Sequence, residues 1–130
     1  MTPDEYISAQ PADRLQIMHA LHDAMTAGDR SVTPIVEAMM GKEMIIYKER
    51  GYMKYALSGV KNYMSFHCMP IYCNPALHSR YVGLLPAAKF QKGCINFVGP
   101  DDFPITIAAN LISDCAKVSI ADFLENRKKK

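Results

Sequence analysis

The chain has 130 residues, of which 49% are hydrophobic and 22% charged, and its net charge is +2. This length fits one domain with its own core, and the composition is that of a globular protein. The four basic residues at 127–130 account for more than the whole net charge, so the rest of the chain is slightly acidic. Because a nucleic-acid surface needs clustered Lys and Arg, we expect no nucleic-acid partner.

We expect neither a membrane-spanning segment nor an export signal in this sequence. No apolar run approaches the ~20 residues that span a bilayer. The opening residues, MTPDEYISAQPADR, contain acids and lack the apolar region of a signal peptide. We therefore expect a cytoplasmic protein with no membrane partner and with reduced Cys thiols. Residues 1–126 are assigned to a single domain and residues 127–130 to a basic C-terminal tail.

The first predicted elements are helices. Within residues 8–28, apolar residues recur at spacings of three and four, as one face of a helix requires: Leu15, Met18, Leu21 and Met25. Residues 29–41 predict a second, short helix. Pro34 suits its first turn and Gly41 suits its end.

The middle of the chain predicts strands. Residues 42–69 are rich in β-branched and aromatic residues with two-residue alternation. The predicted strands lie near 42–49, 52–58 and 61–69, with turns at Arg50–Gly51 and at Gly59. Because the connections are short, neighbouring strands are expected to be antiparallel.

The last third of the chain returns to helices around one further strand. Asn74 followed by Pro75 predicts the start of a short helix, and KGCINFV predicts a strand. Asp101 or Asp102 is expected to cap the next helix and Ser119 the terminal one. These elements predict an α+β fold: a two-layer sandwich in which an antiparallel sheet of about four to six strands carries the N- and C-terminal helices on one face.

Several stretches, in this order, resemble a known bacterial family. MSFHCMPIY, KGCINF and DDFPITIAANLISDCAKVSIADFLE are similar to strands and closing helices of the YdhG-like family, small domains of unknown function. YISAQPADRLQIMHALHDAM resembles its opening helix, so the resemblance covers nearly the whole chain. It implies a sandwich similar to that of frataxins and, for one branch, a role in iron delivery. Frataxin-like iron handling uses an acidic helix face; the first helix here offers Asp13 and Asp23.

The segment KNYMSFHCMPIYC, residues 61–73, holds the main candidate site. Alternate residues of a strand share one face of the sheet. The set expected to face the core is Met64, Phe66 and Cys68; the set expected on the open face is Tyr63, Ser65 and His67. With Lys54 and Asn96 from other strands, the open-face set forms a candidate binding site for a small molecule or a protein. The predicted function is that of a non-enzymatic binding or accessory protein.

Metal binding, including a frataxin-like iron-binding chaperone, nucleophilic catalysis and dimerisation are the alternatives to this function. Zinc needs four N or S ligands, for which the candidates are His67, Cys68, Cys73 and His78. Because adjacent strand residues diverge and no Cys-x₂-Cys pair exists, no metal cofactor is expected, with iron or zinc as the alternative. Ser65 and His67 are expected about 6.5–7 Å apart along a strand, too far for a direct hydrogen bond between a nucleophile and its base unless the two side chains lean together. The remaining alternative is a homodimer that uses the open face as its interface.

Overall fold

Residues 1–128 are described by a computed structural model and form six α-helices, a 3₁₀ turn at Ala12–Arg14 and six β-strands. The helices are α1 (Pro3–Ser8), α2 (Leu15–Gly28), α3 (Met69–Cys73), α4 (Pro75–Leu84), α5 (Ile105–Ala116) and α6 (Ile120–Lys128). The strands are β1 (Thr33–Met39), β2 (Lys42–Glu49), β3 (Tyr52–Gly59), β4 (Met64–Cys68), β5 (Lys89–Gln91) and β6 (Cys94–Phe97).

The strands form one antiparallel sheet in the order β1-β2-β3-β4-β6-β5. Helices α1, α2 and α5 supply apolar side chains to the core on one face of this sheet. The other face, called the open face below, carries a smaller apolar cluster of strand residues: Met44, Ile46 and Ala56, with Met39 and Met53 against it. The predicted α+β sandwich, with helices packed on one face of an antiparallel sheet, is confirmed.

Strand β4 lies between β3 and β6 in the sheet, and the side chains on one of its faces pack into the core. The side chains predicted to face the core are all buried: Met64, Phe66 and Cys68. The Phe66 ring lies between Tyr55 and Phe103, with centroid distances of 5.8 and 5.7 Å. Fully burying a side chain of this size stabilises the fold by about 1.5–3 kcal/mol. This packing fixes β4 in register and therefore fixes which side chains it presents on the open face.

The segment at residues 29–41 contains β1, so the short helix predicted there is wrong. β1 lies at the edge of the sheet, where the missing N–H of Pro34 is tolerated and the β-branched residues beside it suit a strand. Met40 and Gly41 both have positive φ, 55° and 79°, and join β1 to β2 in a two-residue turn. Pairing with β2 in this hairpin therefore overrides the local signal for a helix start.

A second tight turn, at Arg50 and Gly51, joins β2 to β3 as predicted. Gly51 has a φ of 86°. In this left-handed region the Cβ atom of any other residue lies too close to the carbonyl oxygen that follows it. We expect Gly51→Ala to lower the free energy of unfolding by about 1–2 kcal/mol, measured by urea denaturation. The matched control is Gly83→Ala in α4, where an added Cβ meets no atom within 4 Å and helix propensity improves. Equal effects of the two substitutions would contradict this role for the turn.

Two predicted helix caps have different outcomes. The Asn74 side chain accepts hydrogen bonds from two N–H groups in the first turn of α4, at 3.1 and 3.2 Å, which confirms the predicted cap. The predicted cap of α5 by Asp101 or Asp102 is wrong. α5 begins after Pro104 without a side-chain cap, and the Asp102 carboxylate instead accepts from the Val98 N–H at 2.8 Å. The carboxylate is therefore used to close the turn that precedes the helix.

The C-terminal helix α6 begins as predicted but extends further than predicted. Ser119 Oγ accepts a hydrogen bond from the Asp122 N–H at 3.1 Å and caps the helix. α6 continues to Lys128, two residues beyond the predicted end of the domain at residue 126. Lys129 and Lys130 of the predicted tail lie outside the described residues. Within residues 1–128, no helix combines the length and the apolar character that crossing a membrane requires.

Candidate functional site

The open face of the sheet holds a depression of about 340 Å³, called the open-face depression below. Four of the five side chains predicted to bind a ligand or partner line it: Tyr63, Ser65, His67 and Asn96. Lys42 and Met44 of β2 also contribute to its lining. The structure therefore brings together side chains from β2, β4 and β6, together with Tyr63 from the segment just before β4.

Pairing between β4 and β6 explains how the polar side chains meet. Ser65 lies directly opposite Asn96 in this antiparallel pair. Ser65 Oγ donates a hydrogen bond to Asn96 Oδ1 at 2.8 Å, and Asn96 Nδ2 donates to Gln91 Oε1 at 3.2 Å. This chain of hydrogen bonds connects side chains of β4, β6 and β5 on the open face.

The next pair along the same strands joins an imidazole to a thiol. His67 lies opposite Cys94, and His67 Nδ1 is 3.0 Å from Cys94 Sγ, so the thiol can donate to the ring nitrogen. Burial lowers the pKa of His67 and raises the pKa of the Cys94 thiol. Both shifts favour the uncharged forms, so the resting pair is a neutral imidazole and a thiol. Cys94 is not among the site residues predicted from the sequence, although the strand that carries it, KGCINFV, is predicted.

Lys54 is the fifth predicted site residue, and its predicted place on the open face is wrong. Its side chain is buried on the core face, where Nζ lies 2.8 Å from Asp29 Oδ2. The cause is a β-bulge. Tyr47 pairs with Tyr55 and the next residue of β2 pairs with Met53, which leaves Lys54 as an extra residue of β3. Alternation fails at this point, and Lys54 lies on the same face as Tyr55.

The carboxylate of Asp29 organises a buried polar cluster around Lys54. Tyr55 OH donates to Asp29 Oδ2 at 2.6 Å, and the Ser31 N–H donates to Oδ1 at 3.0 Å. Burial alone would raise the pKa of Asp29, but the contact with Lys54 and the hydrogen bonds from Ser31 and Tyr55 outweigh it and hold the pKa below its ordinary value. Apart from this ion pair, the described residues give the Lys54 ammonium no hydrogen bond. The cluster is thus a structural feature of the core.

The four alternative zinc ligands lie in different parts of the fold. His67 is on the open face, whereas Cys68 is in the core with its sulfur 3.6 Å from that of Cys115. Cys73 ends α3, and the His78 ring packs edge-on against Phe90, with centroids 5.6 Å apart. In the part of the chain that the structure describes, no three His, Cys, Asp or Glu side chains converge in a way that could hold a metal ion.

Comparison with known proteins gives no match to this chain. No family model matches it, and no curated protein or solved structure matches it either.

Proposed function

We propose that this protein is a non-enzymatic binding protein whose open-face depression takes a small anionic organic molecule. The observation that carries the proposal is the lining of the depression. It combines a Lys side chain, Lys42, with uncharged polar groups and methionines, and no carboxylate of the described residues contributes to it. A ligand with a negative charge and an apolar part is complementary to this lining.

The size and chemistry of the depression support a ligand of modest size. Its volume of about 340 Å³ lies near the lower end of the range for small-molecule pockets. Met39 and Met44 supply an adaptable apolar wall, since methionine side chains rearrange easily around different shapes. Ser65 and Asn96 supply hydrogen-bonding groups that are already oriented. Preorganised polar groups reduce the entropy lost on binding.

The resemblance to the YdhG-like family is consistent with this proposal, because the α+β sandwich implied by it leaves one sheet face open. The alternative of frataxin-like iron handling requires several oxygen ligands on one surface. Asp13 lies before α2 and Asp23 lies within it, and neither joins a group of three acidic or His/Cys side chains among the described residues. The observations therefore favour an organic ligand over iron.

The proposal is tested by ligand-observed NMR on a panel of small aromatic and aliphatic carboxylates. Each carboxylate is compared with its neutral amide. We expect saturation transfer to the carboxylates and weaker transfer to the amides. Lys42→Glu is expected to weaken carboxylate binding by roughly 1–1.5 kcal/mol or more, about tenfold in Kd, because it places a like charge beside the ligand.

A matched variant controls for net charge. Lys117→Glu changes the charge by the same amount at the exposed C-terminal end of α5, away from the open face. We expect it to leave binding unchanged. Equal weakening by Lys42→Glu and Lys117→Glu would contradict the open-face site. So would the absence of saturation transfer combined with a concentration-dependent dimer in sedimentation, which would favour the homodimer alternative.

A further inference from the structure

The imidazole–thiol pair of His67 and Cys94 is reachable from two sides. Both residues line the open-face depression and also a second depression of about 330 Å³ that includes Met53 and Tyr72. Both side chains are partly exposed. Cys94 and His67 therefore border both depressions from one position on the sheet.

Cys94 differs from the other three thiols of the chain. Cys68 and Cys115 are buried in the core and face each other, so solvent does not reach them. Cys73 is partly buried, and burial raises its pKa as it raises that of Cys94. Among residues 1–128, however, no imidazole lies within hydrogen-bonding distance of Cys73. Cys94 therefore combines access with a neighbouring base, and Cys73 is a matched comparison that has access without the base.

We propose that Cys94 is a thiol–disulfide exchange site at which His67 acts as the general base, and that its reaction partner is an anionic low-molecular-weight disulfide. The proposal goes beyond reversible ligand binding and does not depend on it, because exchange forms a covalent bond that is measured separately. It adds a covalent reaction, with a defined nucleophile and base, to a face proposed above only as a binding surface.

The chemistry follows from the contact between the two side chains. A thiol must lose its proton to attack a disulfide, and burial disfavours a free thiolate at Cys94. His67 Nδ1 accepts the proton as Cys94 Sγ attacks one sulfur of the disulfide. The disulfide bond of the small molecule breaks, a bond forms between Cys94 and the attacked sulfur, and the leaving thiolate takes the proton from His67. Cys94 is oxidised to a mixed disulfide, and the other half of the molecule is reduced to a thiol.

The charges around the pair select the class of disulfide. Lys42 lines the first depression and Lys92 the second, and no acidic side chain of the described residues lines either one. Opposite charges within about 10 Å raise the local concentration of a charged reactant at physiological ionic strength. Disulfides that carry carboxylates, such as glutathione disulfide, are therefore expected to react faster than cationic ones.

The test uses the full chain carrying Cys73→Ser and glutathione disulfide at neutral pH, with the mixed disulfide followed by intact mass spectrometry and peptide mapping. We expect His67→Ala and His67→Gln to slow modification of Cys94 by roughly 10²-fold, within the range of general-base contributions. Free imidazole is expected to restore the rate of the His67→Ala variant, which a merely structural role of His67 would not allow. His67→Gln keeps a polar side chain of similar length. A slow reaction in this variant as well would therefore be due to the lost base and not to misfolding.

Two comparisons complete the experiment. A chain carrying Cys94→Ser retains Cys73 and is expected to react as slowly as the His67 variants. Cystamine, a cationic disulfide, is expected to react more slowly than glutathione disulfide with the Cys73→Ser chain. Unchanged rates in both His67 variants, or a mixed disulfide that maps to Cys73 in the wild-type chain, would overturn the proposal. Faster reaction with cystamine would overturn the anionic class of disulfide.

Discussion

Asp29→Ala is expected to lower the free energy of unfolding by about 3–5 kcal/mol, the range for removing one partner of a buried ion pair. The substitution leaves the Lys54 ammonium, which is fully buried, without a counter-charge. It also removes the acceptor of the buried Tyr55 hydroxyl. Urea denaturation followed by circular dichroism measures the effect.

A second substitution separates the charge from the packing. Lys54→Met in the Asp29→Ala background removes the unpaired ammonium and keeps most of the side-chain volume, so we expect it to recover most of the lost stability. Asp23→Ala, at an exposed position of α2, is the surface control and should change stability by no more than about 0.5 kcal/mol. An effect of Asp29→Ala as small as that of Asp23→Ala would contradict the structural role of the pair.

The contribution of Asp29 to stability also depends on pH. Because its pKa is lower in the folded state than the ordinary value of 3.8, the unfolded state binds its proton first as the pH falls. The stability it contributes is therefore complete above that ordinary value and is lost as the pH falls through the lower native pKa. Wild type and Asp29→Ala should accordingly differ most near neutral pH and converge in acid, as measured by urea denaturation across that range.

Glu49→Ala is expected to lower the free energy of unfolding by roughly 2–4 kcal/mol, since hydrogen bonds to a charged group contribute about 1.5–3 kcal/mol each and do not add fully. The nearly buried Glu49 carboxylate accepts from the N–H groups of Ile120 and Ala121 at 2.8 and 3.0 Å and from Ser119 Oγ at 2.9 Å. A carboxylate at a helix N-terminus also interacts favourably with the helix dipole. The Glu49 carboxylate thus attaches the N-terminus of α6 to the last residue of β2 by hydrogen bonds.

The role of Glu49 is identified by a measurement that reports on α6 separately from the rest of the fold. Hydrogen exchange should lose its protection in α6 more than in β4 when Glu49 is replaced, because the helix is freed from the sheet before the core is. Glu125→Ala is the control: its carboxylate is partly exposed and lies 4.0 Å from Arg50, so we expect a change below about 1 kcal/mol. Unaltered protection of α6 in Glu49→Ala would contradict the role of Glu49 in attaching α6 to β2.

The sequence predicts those elements whose signals are local. The alternation of residues 42–69 places β2, β3 and β4, and Asn74 caps α4 as its position before Pro75 indicates. The prediction for the segment that forms β1 is wrong because Pro34 suits both the first turn of a helix and an edge strand. Only pairing with β2 distinguishes the two. The short elements α1 and β5 carry too few residues to show a period, so they were missed.

The candidate site was predictable to the extent that it follows from alternation. Ser65 and His67 share the open face because β4 is regular, and Asn96 joins them because β6 pairs beside it. Lys54 is misplaced because a bulge in β3 shifts the register, and nothing in the local sequence marks the bulge. Cys94 was missed because its contact with His67 depends on the register between two strands that are far apart in the chain.

Backbone amide chemical-shift mapping shows whether the open face of the sheet is the surface that binds the ligand. A carboxylate selected by saturation transfer is titrated into the ¹⁵N-labelled full chain. We expect the shifted amides to cluster on β4 and β6 and around the turn between β1 and β2, at residues 64–68, 94–97 and 39–44. Shifts confined to the helices on the other face of the sheet, or no shifts at saturating carboxylate, would show that the open face is not the binding surface.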